Sequence, residues 1–168
     1  AGAGYVFVES AGIWTEQAKL SAAAADAGDG AGSCVGLEGD LAVLGAPMAN
    51  NGAGTVFQFN RNMSGVWSEA SFFTPFSITP GDAFGTSLAF RDGTLLVGAP
   101  LENSSGSPKG TVLFYQADEQ GVFSLHTEID SPGPVGDGFG ASVSIGDGFV
   151  AIGAPIANGG DTDSGAAF

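Results

Sequence analysis

The sequence predicts an all-β chain of tandem repeats, and three observations carry that prediction. The tripeptide Gly-Ala-Pro occurs at Gly45-Ala46-Pro47, Gly98-Ala99-Pro100 and Gly153-Ala154-Pro155, at spacings of 53 and 55 residues. Between these marks bulky residues recur on alternate positions, a period of two and not 3.6. Gly accounts for 29 of the 168 residues and concentrates where the alternation breaks. Self-similarity at this period points to propellers or arrays before other architectures.

Each unit repeats the same elements in order. A Gly-Asp pair comes first, as Gly28-Asp29, Gly81-Asp82 and Gly136-Asp137. An aromatic-glycine pair follows, Phe84-Gly85 and Phe139-Gly140, with the degenerate Ala31-Gly32 in the first copy. Two strands joined by a Gly/Asp hairpin lead to Gly-Ala-Pro; Asp-Gly and Gly-Asp supply the positive φ such hairpins demand. The second of these, Leu41 to Leu44, Leu95 to Val97 and Phe149 to Ile152, is nearly all apolar, as an inner strand buried on both faces should be. A variable loop then opens a third strand at Gly54-Thr55-Val56-Phe57 and Gly110-Thr111-Val112-Leu113-Phe114. Gly4-Tyr5-Val6-Phe7 and Gly165-Ala166-Ala167-Phe168 read in the same phase. The outer strands are Trp14 to Leu20 and Val66 to Phe73, and Ala22 to Ala27 reads as a loop between glycine-rich flanks. The units are 1–51, 52–109 and 110–164, with 165–168 starting a fourth or exchanging with another blade or chain. Each reads as a blade of four antiparallel strands, too thin to bury both faces without neighbours.

The two motifs have a packing explanation. Gly and Ala let backbones approach closely near a crowded centre, and Pro ends hydrogen bonding where the strand leaves the sheet. Phe-Gly places one large ring between neighbouring sheets, beside a residue free to bulge.

Composition excludes several functions. Four Lys+Arg stand against 18 Asp+Glu, for a net charge of −14. So few cations cannot neutralise a row of phosphates, which argues against nucleic acid and anionic membranes as partners. No apolar run reaches the ~18 residues of a membrane span. Thirteen Phe set the chain apart from a disordered acidic tail. No leader is visible at the start, as expected of a mature or excised segment. The one cysteine, Cys34, reads as a small buried apolar residue.

These motifs resemble the FG-GAP repeat family, the blade type of integrin α-subunit propellers and of many bacterial and algal surface proteins. The resemblance rests on Phe84-Gly85 with Gly98-Ala99-Pro100, and Phe139-Gly140 with Gly153-Ala154-Pro155, in register with the Phe-less first copy. It implies β-propeller blades, an extracellular or cell-surface location, and adhesion or protein–protein binding. Integrin-type repeats often carry spaced aspartates for calcium between the Phe-Gly and Gly-Ala-Pro strands. Here that connection is a hairpin with one or two acids, such as Asp92 or Asp147, short of the 6–8 oxygens calcium takes. The chain is therefore similar to the metal-free branch, and no cofactor is expected. Asp161 and Asp163 are weak calcium candidates, with a solvated polar loop the simpler reading.

No catalytic constellation emerges. His126 stands alone, on an outer strand at the position of Gln17 and Ala70. Gly85-Thr86-Ser87 and Gly140-Ala141-Ser142 lack the final glycine and helix of a nucleophile elbow. Asp29, Asp82 and Asp137 suit turn capping better than acid catalysis, because equivalent residues of successive units lie apart. Two sequons, Asn62-Met63-Ser64 and Asn103-Ser104-Ser105, make Asn62 and Asn103 glycosylation candidates.

The expected function is a non-catalytic extracellular module for adhesion or structural assembly. Its partners would be other protein chains, including copies of itself, and glycans. The loops 48–51, 101–109 and 156–164 should cluster on one rim. Three units fall short of the typical 4–8 blades of a closed ring, so strand or blade complementation into a fibre is a serious expectation. The alternative is an accessory propeller segment of a larger secreted enzyme or receptor.

Overall fold

Alternating side chains set the strands, and glycine-rich breaks end them. A computed structural model of the chain describes residues 1–103, 109–157 and 164–168. Its strands are β1 (Gly4–Ser10), β2 (Ile13–Leu20), β3 (Cys34–Glu38), β4 (Leu41–Ala46), β5 (Thr55–Arg61), β6 (Trp67–Phe73) and β7 (Ser87–Arg91). They continue with β8 (Thr94–Ala99), β9 (Thr111–Ala117), β10 (Phe123–Asp130), β11 (Ser142–Ile145), β12 (Val150–Ala154) and β13 (Ala166–Ala167). A four-residue helical turn, α1 (Ala49–Gly52), interrupts the first variable loop. The stretch 22–27 is turn and loop, as its sequence predicts.

The strands form four antiparallel sheets in which sequence neighbours pair: β1-β2, β3-β4-β5-β6, β7-β8-β9-β10 and β11-β12-β13. The chain is thus all-β. Boundaries at 51, 109 and 164 fall between the second and third strands of a sheet, so each sequence unit contributes two strands to each of two sheets. The covalent repeat thereby ties neighbouring sheets together.

The sheets stack face to face over three apolar layers. Val6, Leu20, Leu44 and Phe57 fill the first; Val43, Phe84, Leu95 and Tyr115 the second; Leu96, Val112, Phe139 and Ile152 the third. β4 and β8 are buried along almost their whole length, as their unbroken apolar sequence requires. The innermost strands converge, with β7 touching both β3 and β11.

The outermost strands share a β-bulge. Register shifts between Val6 and Phe7, between Gln58 and Phe59, and between Leu125 and Thr127 leave Gln17, Ala70 and His126 unpaired. A bulge increases local twist and bends its strand, which suits the outer edge of each sheet. The bulges also fix the phase of β1. Val6 corresponds to Gln58, which makes Gly2 the counterpart of Gly54 and corrects the in-phase reading of Gly4 by two residues. A shift of two leaves every side chain on its predicted face, so alternation alone could not reveal it.

Candidate functional site: the loop-bearing rim

Gly-Ala-Pro and Phe-Gly meet at one end of every sheet. A Cβ on Gly45 would overlap the Gly85 carbonyl oxygen, and one on Gly98 would overlap that of Gly140. Only glycine permits this approach, and Gly85 and Gly140 take φ of 86° and 89° to make it. A side chain locks each contact. Cys34 Sγ donates to the Gly85 carbonyl at 2.9 Å, and Ser87 Oγ, in the equivalent position, donates to Gly140 at 2.7 Å. The cysteine is thus half-buried and hydrogen-bonded, more than apolar filler, and burial pushes its thiol up to about 12. The same bond accounts for Ser87 as an inter-sheet strut.

Beyond each Gly-Ala-Pro the chain is held by a second recurring bond. Met48, Leu101 and Ile156 donate their backbone N–H to the carbonyls of Asp29, Asp82 and Asp137, at 3.1, 3.3 and 3.1 Å. Their side chains are 61%, 52% and 51% exposed. Three sheets therefore each present one apolar side chain at the same corner. The signal in the sequence was the residue after each proline, Met, Leu and Ile, which is apolar in a segment that otherwise reads as polar loop.

The aspartates cap the turns that carry this row, with unequal support. Asp82 is fully buried; Oδ2 accepts from Thr79 N–H at 2.7 Å and Thr79 Oγ1 at 2.9 Å, and Oδ1 from Asn103 Nδ2 at 3.2 Å. Asp29 Oδ2 accepts from Asp26 N–H at 2.8 Å. Asp137 is equally enclosed, yet its Oδ2 has no partner. Pro134 stands where Thr79 stands one unit earlier, and proline has no N–H to give.

A polar cavity of about 410 Å³ lies between the first two loops, lined by Asp26, Asp29, Asn50 and Thr55 among others. Asn50 and Asn51 both adopt left-handed backbone there, φ 54° and 60°. Asparagine tolerates this better than bulkier residues. Asn50 Nδ2 donates to Thr55 Oγ1 at 2.9 Å, and that hydroxyl also bonds Thr74 Oγ1 at 2.8 Å.

The remaining candidates are dispersed. Asn62 is exposed on the opposite rim, its Oδ1 accepting from the N–H of Ser64 and Val66 at 2.9 and 3.0 Å. Asn103 is half-buried and its amide nitrogen is committed to Asp82. Of the two, Asn62 offers the better glycan acceptor geometry. His126 is exposed. Asp161 and Asp163 lie outside the described residues, among which no group of three metal-ligating side chains occurs. The hairpin aspartates make protein contacts: Arg91 pairs with Asp147 of the next sheet, and with Asp92 at 3.3 Å.

Residues 14–59 match the family model of the FG-GAP repeat. That stretch is similar to one FG-GAP repeat. The matched model is that of the family its motifs resemble, over residues 14–59 of the 168. The matched stretch runs from β2 through β5, so an FG-GAP repeat here spans the outer strand of one sheet and three strands of the next. It includes the copy in which Ala31 replaces the aromatic residue. Recognition of that copy thus rests on Gly-Ala-Pro and the strand pattern, more than on the ring. No curated protein matches the chain. FG-GAP repeats suggest a β-repeat protein-interaction module, and among the described residues no helix is long and apolar enough to cross a membrane.

Proposed function

We propose that the chain is a non-catalytic extracellular module for adhesion or structural assembly, contacting other protein chains through the rim that bears Met48, Leu101 and Ile156. The observation that carries this reading is the regular apolar row, each member exposed while its backbone is fixed by the Asp carbonyl behind it. Such a row supplies the apolar centre of a protein–protein contact, and the polar loops around it supply the rim. Extracellular placement agrees with the family and with the scarcity of lysine, and Asn62 would then carry a glycan clear of the contact row. Self-assembly by strand or blade complementation belongs to the same reading.

The test is the triple substitution Met48→Ser, Leu101→Ser and Ile156→Ser. All three side chains are largely outside the core, so the β-rich far-UV spectrum should persist. Binding to an array of extracellular proteins and glycans should fall by roughly tenfold or more, as expected when anchor side chains are removed. Unchanged binding by the triple variant would assign the contact to another surface.

A further inference from the structure

We propose that the groove between the outer strands of the two four-stranded sheets binds a small neutral aromatic molecule carrying one hydrogen-bond acceptor, which the Tyr115 hydroxyl engages. This site goes beyond the contact surface proposed above and shares no lining residue with the row Met48, Leu101 and Ile156, so the two readings stand or fall separately.

The groove has a volume of about 450 Å³, within the range of small-molecule sites. One wall is Phe72, Phe73 and Phe76, at the end of β6 and just after it; the other is Val122, Phe123 and Leu125, around the start of β10. Phe76 is fully exposed, and Phe72, Val122 and Leu125 are about half exposed. Tyr115 of β9 forms the floor and is only 5% exposed. The Phe73 ring stands 4.9 Å from the Tyr115 ring and 6.2 Å from that of Phe123, centroid to centroid. The apolar walls therefore narrow onto an aromatic base.

Four polar side chains line the groove, and three of them are committed. Gln58 Nε2 donates to Asn60 Oδ1 and to the Gly121 carbonyl, at 2.9 and 2.8 Å, while its Oε1 accepts from Ser71 Oγ at 3.1 Å. Thr74 Oγ1 donates to the Gly54 carbonyl at 2.7 Å. The fourth is the Tyr115 hydroxyl, which is buried with no partner among the described residues. Burial, and after it the Glu128 charge, hold this phenol above its ordinary range, so it keeps its proton and stays a donor. A buried donor left unpaired bears its desolvation cost uncompensated, and a carbonyl oxygen on an occupant would offset it. None of the lining side chains is charged, so a cation or an anion would lose its water there without gaining a partner. The chemistry that fits is neutral.

The preceding junction shows that the fold does not need this hydroxyl. Phe59 pairs with the second residue of β4 as Tyr115 pairs with the second residue of β8, and it is buried without any polar atom. There the bulge residue Gln17 reaches across to the next sheet, its Oε1 accepting from Trp67 Nε1 at 2.9 Å. Trp67 opens β6 as Phe123 opens β10, but the bulge residue in the place of Gln17 is Ala70, whose single side-chain carbon cannot make the bridge. One junction is thus spanned by a polar bridge, while the other lacks it and carries an extra phenol oxygen. That oxygen is shut off from water. An occupant reaches it as the half-buried Phe73 and Phe123 rings turn aside, a side-chain adjustment of the kind common on binding.

An NMR titration of the 168-residue chain with acetophenone, an aromatic ring bearing a neutral carbonyl, tests this. The expected result is a set of amide shifts confined to the groove, Phe73, Tyr115 and Phe123 among them. α-Methylstyrene, the same shape without the oxygen, should bind roughly tenfold more weakly. Benzoate, the same shape with a charge, should bind no better than α-methylstyrene. Tyr115→Phe should bring acetophenone down to the level of α-methylstyrene while leaving the melting temperature unchanged or higher, because it removes only an unpaired donor. Phe76→Ser, at a fully exposed position, should weaken both neutral probes with the fold intact. Absence of shifts at the groove, or binding indifferent to Phe76→Ser, overturns the site. Equal binding of acetophenone and α-methylstyrene by the wild type, or a lower melting temperature in Tyr115→Phe, overturns the open donor. Tighter binding of benzoate than of acetophenone overturns the neutral occupant.

Discussion

At the turn before Phe84, the buried Asp82 carboxylate is held by the Thr79 amide, the Thr79 hydroxyl and the Asn103 amide. At the turn before Phe139, the equally buried Asp137 keeps an oxygen with no partner, because Pro134 replaces the threonine. The two backbones nevertheless make the same connection, since Leu101 and Ile156 both bond the aspartate carbonyl behind them. The difference separates what the repeat needs from what one copy adds. Position is set by ring burial and glycine contacts, and side-chain capping tightens a turn already formed.

The rings give the largest test of that contrast. Phe84 is fully buried with Phe73 and Tyr115 at centroid distances of 6.2 and 6.3 Å, from strands of seven residues each. Phe139 is as deeply buried, but its ring partner Phe168 follows the two-residue strand β13, which β12 holds through two residue pairs. Truncating a buried Phe costs about 3–5 kcal/mol, less where the site can relax. Phe84→Ala should lie near the top of that range and Phe139→Ala near the bottom, measured by urea unfolding. Equal losses would mean that the terminal sheet is as rigid as the middle one.

Next in size is the capping itself. Asp82→Ala removes a buried acceptor from the Thr79 and Asn103 donors, and bonds to charged groups contribute about 1.5–3 kcal/mol. A loss of about 2–3 kcal/mol is expected, against about 1 kcal/mol or less for Asp137→Ala, which removes a carboxylate already missing a partner. Pro134→Thr should move the second turn toward the first. It adds the missing donors, worth about 1 kcal/mol net, and gives back about 0.5 kcal/mol of proline's restriction of the unfolded chain. A melting temperature that falls in Pro134→Thr would show that the third copy cannot adopt the Thr79 geometry.

Much of this was legible in the sequence for physical reasons. A period of two is a property of the strand, so the all-β class and the apolar inner strands β4 and β8 followed directly. Gly-Ala-Pro and Phe-Gly announced close approach, and Gly45 against Gly85 is that approach. Other features depend on which strand lies beside which. The phase of β1 was hidden because a shift of two keeps the faces unchanged. Division of each repeat between two sheets was hidden because a meander reads the same wherever it is cut. The exposed row at Met48, Leu101 and Ile156 stood in the sequence one residue beyond each motif, but only the recurring bond to Asp29, Asp82 and Asp137 shows that those residues point outward together. Cys34 looked like filler until its alignment with Ser87 gave it a hydrogen-bonding role.

The smallest effect concerns charge at the outer edge. Glu128 pairs with Leu113 at the position where Phe72 pairs with Phe57 in the preceding sheet, and there the two rings lie 5.8 Å apart. Glu128 is held above the ordinary carboxylate range, first by desolvation and then by the nearby Asp130 charge, against hydrogen bonds from Thr111 and Ser77. An acid with a raised folded pKa binds more protons in the folded state than in the unfolded one. Stability therefore falls as pH rises from the unfolded value, about 4.3 for Glu, through the raised one, and the full penalty applies at neutral pH. Glu128→Gln removes that penalty while keeping the length and shape of the side chain. The variant should melt above the wild type at pH 7, and the two should converge as pH falls to about 3, well below the unfolded value of about 4.3, where Glu128 is protonated in both states. A gap that persists unchanged at that acidic pH would assign the gain to packing, as with Phe72, and would remove charge from the comparison of the two sheets.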